Sequence, residues 1–285
     1  MGANLLRAVK NILDFKDNDL REYSSKYLIR INAVGEQLEF YLKDAFAGSF
    51  KDEQNKKEEK YLGVFSYLGN QNNPPDMILN EGDAFEIKKI ETVGSSLALN
   101  SSHPKDRLHS DDPRIIGACR ACEGGGWKEK ELFYVVGHTK EGRAKHLFFV
   151  HGRCYAADRS VYERLSAPIK KGVDSVLTEL NFEKGETREL GKVKRVDPLG
   201  ITELRIRGMW SIQNPIKVFS GVCPIDESKE FHMVLLLTKA KYDSFPKADQ
   251  EAVEKDSRIK VLDVKVKDPN NPARALEAKL ISAGW

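Results

Sequence analysis

The stretch that most restricts how this chain can fold runs from Asn73 to Lys89. Two short apolar runs, Met77–Leu79 and Ala84–Ile90, flank the polar link Asn80-Glu81-Gly82-Asp83, and this order predicts a β-hairpin. In the second run side chains alternate between faces, so Glu86 and Lys88 share one face while Phe85 and Ile87 share the other. The turn brings Asp76 back towards Glu86. Two carboxylates and an ammonium at one spot compose a Mg²⁺ site, because this hard cation takes one or two carboxylates and keeps room for waters and phosphate oxygens. The lysine can orient or help deprotonate a water and offset charge on a phosphate. Taken alone, Pro75-Asp76 followed by Glu86-Ile87-Lys88 also describes a hairpin edge whose charges face water.

The chain is long enough, at 285 residues, for one large or two modest domains. Its longest apolar run, Met233–Leu237, has the length of a buried strand and falls far short of the ~20 residues of a membrane helix. The first residues lack a charged segment followed by an apolar core, which argues against a secretion signal. Four cysteines make no disulfide framework, so a reducing cytoplasm is expected. A net charge of +3 announces no nucleic-acid binder by itself, and the distribution of charge matters more.

Helical spacing predicts helices over Asn4–Phe15 and Ile31–Phe46, separated by a polar linker at Asp14–Ser25. Glu39, or Glu36, on the second helix can reach a neighbouring metal site, and both also suit a solvated face. The charged run Lys51–Lys60 reads as exposed helix or loop, Tyr61–Leu68 as a strand and Gly69–Asn73 as a turn. After the hairpin, Asn100, Ser101, Ser102 and Lys105 suit contacts to phosphates or base edges as well as they suit an ordinary loop. His103 and His109 read as loop residues. Cys119 and Cys122 form a lone C-x-x-C without a second pair at finger-like spacing. Strands are expected at Leu132–Val136 and Lys145–Val150 around a Gly137–Gly142 turn, and at Phe231–Leu237 and Ile259–Lys267. Helices are expected over Asp158–Leu180, interrupted at Pro168, and over Tyr242–Asp256. Such alternation predicts an α/β architecture with a mixed sheet.

A second informative stretch, Arg188–Trp210, carries Arg188, Lys192, Lys194, Arg195, Arg205 and Arg207 against Glu189, Asp197 and Glu203. Read as a strand, Ile201–Arg207 places Glu203, Arg205 and Arg207 on one face. Paired arginines suit guanine, whose O6 and N7 accept two hydrogen bonds in the major groove. Glu203 is positioned to orient an arginine or accept from a cytosine amine. Arg–Glu pairs across an exposed sheet fit the same pattern.

Taken together, these blocks resemble the NgoPII-like family of type II restriction endonucleases, within the PD-(D/E)xK nuclease superfamily. The resemblance rests on Gly35, Leu38-Glu39, Lys43-Asp44 and Phe46-Ala47-Gly48; on Phe65–Asn70; on Pro74-Pro75-Asp76, Asp83-Ala84 and Glu86–Thr92; on Ala98–Ser102; and on Arg195–Thr202, Arg205 and Arg207–Trp210. It spans roughly residues 1–220. It implies a restriction-endonuclease-like core, a mixed central β-sheet flanked by helices. One domain over 1–285 is expected, with the catalytic core at about 30–150 and DNA recognition at about 185–220. The implied activity is a homodimeric, Mg²⁺-dependent cut through both strands of double-stranded DNA at a short GC-rich palindrome, GGCC in this family, leaving 5′-phosphates. Asp76, Glu86 and Lys88 fall on the superfamily's catalytic positions and Glu39 on its auxiliary helix acid. The expected metal ligands are Asp76, Glu86 and the Ile87 carbonyl. The expected DNA contacts are Arg205, Arg207, Asn100, Ser101, Ser102, Lys105 and Arg195, with the arginine assignments resting on strand facing. A cognate DNA methyltransferase is the expected functional partner. The competing reading is a non-catalytic DNA-binding module with a structural zinc at the C-x-x-C pair.

Overall fold

The computed structural model describes residues 2–21, 33–70, 73–187 and 189–285. The expectations for the rest of the Asp14–Ser25 linker, the start of the second helix, the Glu36 side chain and Arg188 lie outside the described residues.

One large mixed sheet organises the chain. Its strands are β1 (Phe65–Asn70), β2 (Asn73–Leu79), β3 (Ala84–Ile90), β6 (Glu129–Lys140), β7 (Arg143–His151), β12 (His232–Thr238), β13 (Ile259–Asp268) and β14 (Asn271–Gly284), in the spatial order β1-β2-β3-β6-β7-β12-β14-β13. Pairing is parallel at β3–β6 and at β7–β12 and antiparallel elsewhere along this path. Alternate side chains of the central strands bury on opposite faces, Phe133, Val135, Leu147 and Phe149 on one and Tyr134, Val136, Phe148 and Val150 on the other. A sheet apolar on both faces must be covered on both. The first face is covered by α1 (Leu5–Phe15), α2 (Ala33–Ala47) and α9 (Lys247–Glu254), which contribute Leu5, Ile12, Leu38, Tyr41 and Val253. The second carries β4 (Leu97–Asn100), β5 (Arg107–His109), α4 (Gly117–Ala121), α5 (Gly152–Tyr155) and α7 (Pro215–Val218). The mixed α/β architecture is the one the sequence predicts.

Local chemistry explains where elements begin and end. The Asn4 side chain caps α1 by accepting from the Arg7 amide at 3.1 Å. Contrary to the expected strand at Tyr61–Leu68, helix α3 (Gln54–Val64) runs on past Tyr61 before β1 starts at Phe65. The reason is Asp44, fully buried on α2: the Tyr61 hydroxyl donates to it at 2.7 Å, Ser49 at 2.5 Å, and Lys57 forms an ion pair with it. Gly137 is likewise not part of a turn but lies inside β6, where a Cβ would stand 2.4 Å from a Leu38 methyl. The missing side chain lets α2 press onto the sheet. The β6–β7 turn is Glu141-Gly142 alone, both left-handed (φ 53° and 76°), as a two-residue hairpin loop requires.

Helix α6 (Arg159–Glu179) continues through Pro168 rather than breaking there. The expected helix Tyr242–Asp256 is instead two, α8 (Lys239–Asp243) and α9, because Pro246 serves as the N-cap of the second. The strand with no expectation attached, β14, is central to its end of the sheet, since it pairs β12 on one side and β13 on the other. A second, three-stranded sheet of β8 (Glu183–Lys184), β9 (Gly191–Lys194) and β10 (Leu204–Ile206) lies beside α6, and β11 (Trp210–Ile212) pairs with β4. No helix among the described residues is long and apolar enough to cross a membrane.

Asp44→Ala removes the counter-charge of buried Lys57 and should cost about 3–5 kcal/mol, read as a lower denaturation midpoint in urea. A second prediction concerns Glu131 on β6, which meets the His151 Nε2 at 2.7 Å and Arg153 at 2.8 Å. Burial alone would raise its pKa, but the His151 hydrogen bond and the electrostatic pull of His151 and Arg153 prevail and bring it down to about 2. A depressed carboxyl stabilises the fold above the ordinary glutamate range and loses that contribution as pH falls towards 2. The stability difference between the wild type and Glu131→Gln should therefore be largest near neutral pH and shrink in acid, measured by denaturant titration at several pH values.

Candidate active site

Strand pairing settles the hairpin geometry. Met77 faces Phe85 and Ile78 faces Ala84, so Asp76 comes level with Glu86 at the mouth of the β2–β3 pair. The Ile87 amide donates to Asp76 Oδ2 at 2.5 Å, and Lys88 Nζ donates to Glu86 Oε1 at 2.5 Å. Phe85 and Ile87 enter the opposite core, as their alternation predicts. Gly69 on β1 is needed beside them, because a Cβ there would stand 2.3 Å from the Pro75 carbonyl and 3.0 Å from the Asp76 Cα. Its absence lets β1 lie against the backbone that carries Asp76.

The electrostatics of this group are those of buried carboxylates crowded against one another. Asp76 is held well above the ordinary aspartate range, first by burial, then by repulsion from Glu86, with Glu39 adding to it against the opposing pull of Lys88. Burial works against the charge on Lys88, yet Glu86, Asp76 and Glu39 raise its pKa above the ordinary lysine value. Lys88 is thus an ammonium at neutral pH. Glu86 Oε2 is buried without a hydrogen-bond partner. Two adjacent carboxylates, one oxygen unsatisfied, fit a hard divalent ion that completes its shell with waters. Among the described residues no three His, Cys, Asp or Glu side chains converge closely enough to hold a metal by themselves. Among the described residues no such group forms around the C-x-x-C pair either. Cys119 and Cys122 are buried in the apolar core with Ile115 and Leu132, and burial pushes the Cys119 thiol up to about 12.

A cleft of about 260 Å³ opens over the group, lined by Asp76, Glu86 and Lys88 and by Asn100, Ser101, Ser102, Arg114, Glu189 and Arg205 among others. Asn100, Ser101 and Ser102 therefore stand at the cleft, as the sequence order suggests. Lys105 reaches the same wall but is 5% exposed, its amine 2.6 Å from Asp112, which makes it a buried ion pair rather than a free phosphate contact. Arg195 is exposed, 3.5 Å from Glu183 and outside the cleft lining. His103 lines the cleft, stacked on Tyr162.

The arginine strand is shorter than expected and differently partnered. Only Leu204–Ile206 is extended, paired with β9. Glu203 does not orient the arginines; it pairs with Lys192 at 2.8 Å. Glu189 performs that task, holding Arg205 at 2.6 and 3.0 Å and Arg207 at 2.7 Å. Sequence periodicity cannot reveal this partner, because Glu189 precedes β9 and meets the arginines only when β9 and β10 pair. Arg114 also escaped the sequence reading. It lines the cleft with no ion-pair partner among the described residues, and the nearby Asp112-Pro113 turn was its only signal.

A family model described as NgoPII restriction endonuclease matches residues 3–267. The type II restriction enzyme NgoPII of Neisseria gonorrhoeae is 44% identical over 254 residues, covering 89% of this chain and 90% of that protein. No solved structure matches this chain. The match extends well beyond the nuclease hairpin, through the cleft and the arginine region to β13, and on this ground the chain belongs to the NgoPII restriction endonuclease family.

Proposed function

We propose that this type II restriction enzyme hydrolyses both strands of duplex DNA at a short GC-rich palindrome such as GGCC, with Mg²⁺ held at the β2–β3 hairpin. The observation that carries the reading is the adjacent pair Asp76 and Glu86, with Glu86 Oε2 unpartnered, beside the Lys88 ammonium and in the same cleft as Arg205. Asp76, Glu86 and the Ile87 carbonyl hold the ion, and Glu39 acts from α2 through an intervening water. Bound there, Mg²⁺ supplies Lewis-acid stabilisation of charge on the scissile phosphate and leaving oxygen and eases deprotonation of water. Lys88, charged at neutral pH, orients the attacking water and offsets the phosphate's developing charge. The water displaces the 3′ oxygen and leaves a 5′-phosphate.

Arg205 and Arg207, spread on Glu189, present donors suited to guanine O6 and N7. Asn100, Ser101, Ser102 and Arg114 contact the backbone along the cleft wall. Two copies related by a two-fold axis match a palindrome and cut one strand each. The enzyme works in the cytoplasm, where a cognate methyltransferase protects the host's own sites. Digesting a plasmid of known sequence with Mg²⁺ and reading the fragment ends tests the whole reading; discrete bands support it, whereas intact DNA refutes it.

Four variants probe the parts. Lys88→Ala should lower cleavage by roughly 10³-fold or more while duplex binding, followed by fluorescence anisotropy, stays within about twofold. Arg205→Ala or Arg207→Ala should lower the preference for cognate over random duplex, about 1–3 kcal/mol per arginine; an equal loss on all sequences would make them phosphate contacts. Gly69→Ala should push the Asp76 backbone away, lowering the melting temperature and reducing cleavage, and raising the Mg²⁺ concentration should restore part of the rate at temperatures where the variant stays folded.

A further inference from the structure

Helix α6 docks on the small sheet through buried Leu177 and through Val173, whose methyl packs against the backbone of Gly191. Its neighbouring face is left uncovered. Val161, Leu165, Ile169, Val176 and Leu180 are 42%, 56%, 44%, 53% and 59% exposed, a run of large aliphatic side chains turned to water on one helix. Gly172 completes the row, and a Cβ there would meet nothing within 4 Å. Scattered exposed aliphatics are ordinary, whereas a contiguous row marks an interface.

The spacing identifies the occupant. From Val161 the row advances by four, four, three, four and four residues to Leu180, the same read in either direction. Reversing the helix therefore maps the row onto itself about a point between Lys170 and Lys171. Laid antiparallel across a two-fold axis, Val161 meets the partner's Leu180, Leu165 meets the partner's Val176, and Ile169 meets the partner's Gly172. The missing side chain at Gly172 leaves room for Ile169 at the centre. Charge follows the same symmetry. Arg164 and Glu179, on one flank of the row, make no ion pair with other described residues, Glu179 accepting only from the Ser175 hydroxyl at 3.5 Å. In the antiparallel pair Arg164 comes within about two residues, ~3 Å along the axis, of the partner's Glu179, and the contact occurs twice.

We infer that α6 is the surface through which two copies of this chain associate, by antiparallel pairing of the Val161–Leu180 row. An interface of this kind is isologous, each copy giving the same patch. It rests on the proposal that two copies act together on a palindrome, and it names the surface they use. Tyr162 on the same helix stacks edge-on against Trp210, next to the strand paired with Asn100, so the helix that joins the copies is fixed to the cleft wall.

The test compares the full-length protein with a Leu165→Glu/Ile169→Glu variant by sedimentation at micromolar concentration, with thermal unfolding as the folding control. In a parallel arm, separately purified Ile169→Cys and Gly172→Cys proteins are mixed and treated with a short bismaleimide; the four native thiols are buried, so the new ones react. The inference expects a wild-type dimer, a dissociation constant raised at least about 100-fold in the charged variant, and a covalent Ile169→Cys–Gly172→Cys dimer. A charged variant that still dimerises like wild type overturns α6 as the surface and leaves the two-copy reading standing. A wild-type protein that stays monomeric with and without duplex DNA overturns both. If the charged variant does not fold, the mixed-cysteine arm decides: the covalent dimer supports the inference, and its absence overturns it.

Discussion

The hydrogen bond from the Ile87 amide to Asp76 is the constraint on which the rest of the site depends. It ties the mouth of β2 to β3 at the residue between Glu86 and Lys88, so three charged side chains stay together although two of them repel. Burial and Glu86 both disfavour the Asp76 charge, and only Lys88 and that amide oppose them. Strain of this kind concentrates at functional sites, where the surrounding structure holds it in place. Much of the surrounding framework serves to hold this arrangement: Gly69 lets β1 close on Asp76, Gly137 lets α2 approach with Glu39, and the Asp44 network fixes α2 against α3.

The acidic hairpin and the arginine strand are brought to one cleft by pairings between distant parts of the chain. Strand β11 pairs with β4, setting Trp210 opposite Asn100, and the Asn214 side chain donates to the Ser95 carbonyl at 3.2 Å. Glu189 then spreads Arg205 and Arg207 while lining the same wall as Asp76 and Glu86. Guanidinium groups fixed on a carboxylate have less freedom to lose on meeting a base, so discrimination costs less ordering.

Alternation and turn chemistry made the acidic hairpin legible, because a period of two fixes which residues share a face before any tertiary contact forms. They also gave α1, the core of β12 and the mixed α/β class. Where the reading erred, a distant partner had overridden a local signal. Tyr61 joined a helix because Asp44 needed its hydroxyl, Gly137 stayed in a strand because Leu38 needed its space, and polar β14 became central because two other strands flanked it.

The sequence by itself determined the chemistry on offer: two acids and a lysine on one ribbon face, and paired arginines far along the chain. Only the tertiary structure decided that the two acids, the lysine and Arg205 meet in one cleft, that Glu189 rather than Glu203 holds the arginines, and that Lys105 is spent on Asp112. The physical reason is range. Side-chain alternation is set by neighbouring dihedral angles, whereas the partner of a charge is set by which strands pair, and that is settled by burying both faces of the sheet at once.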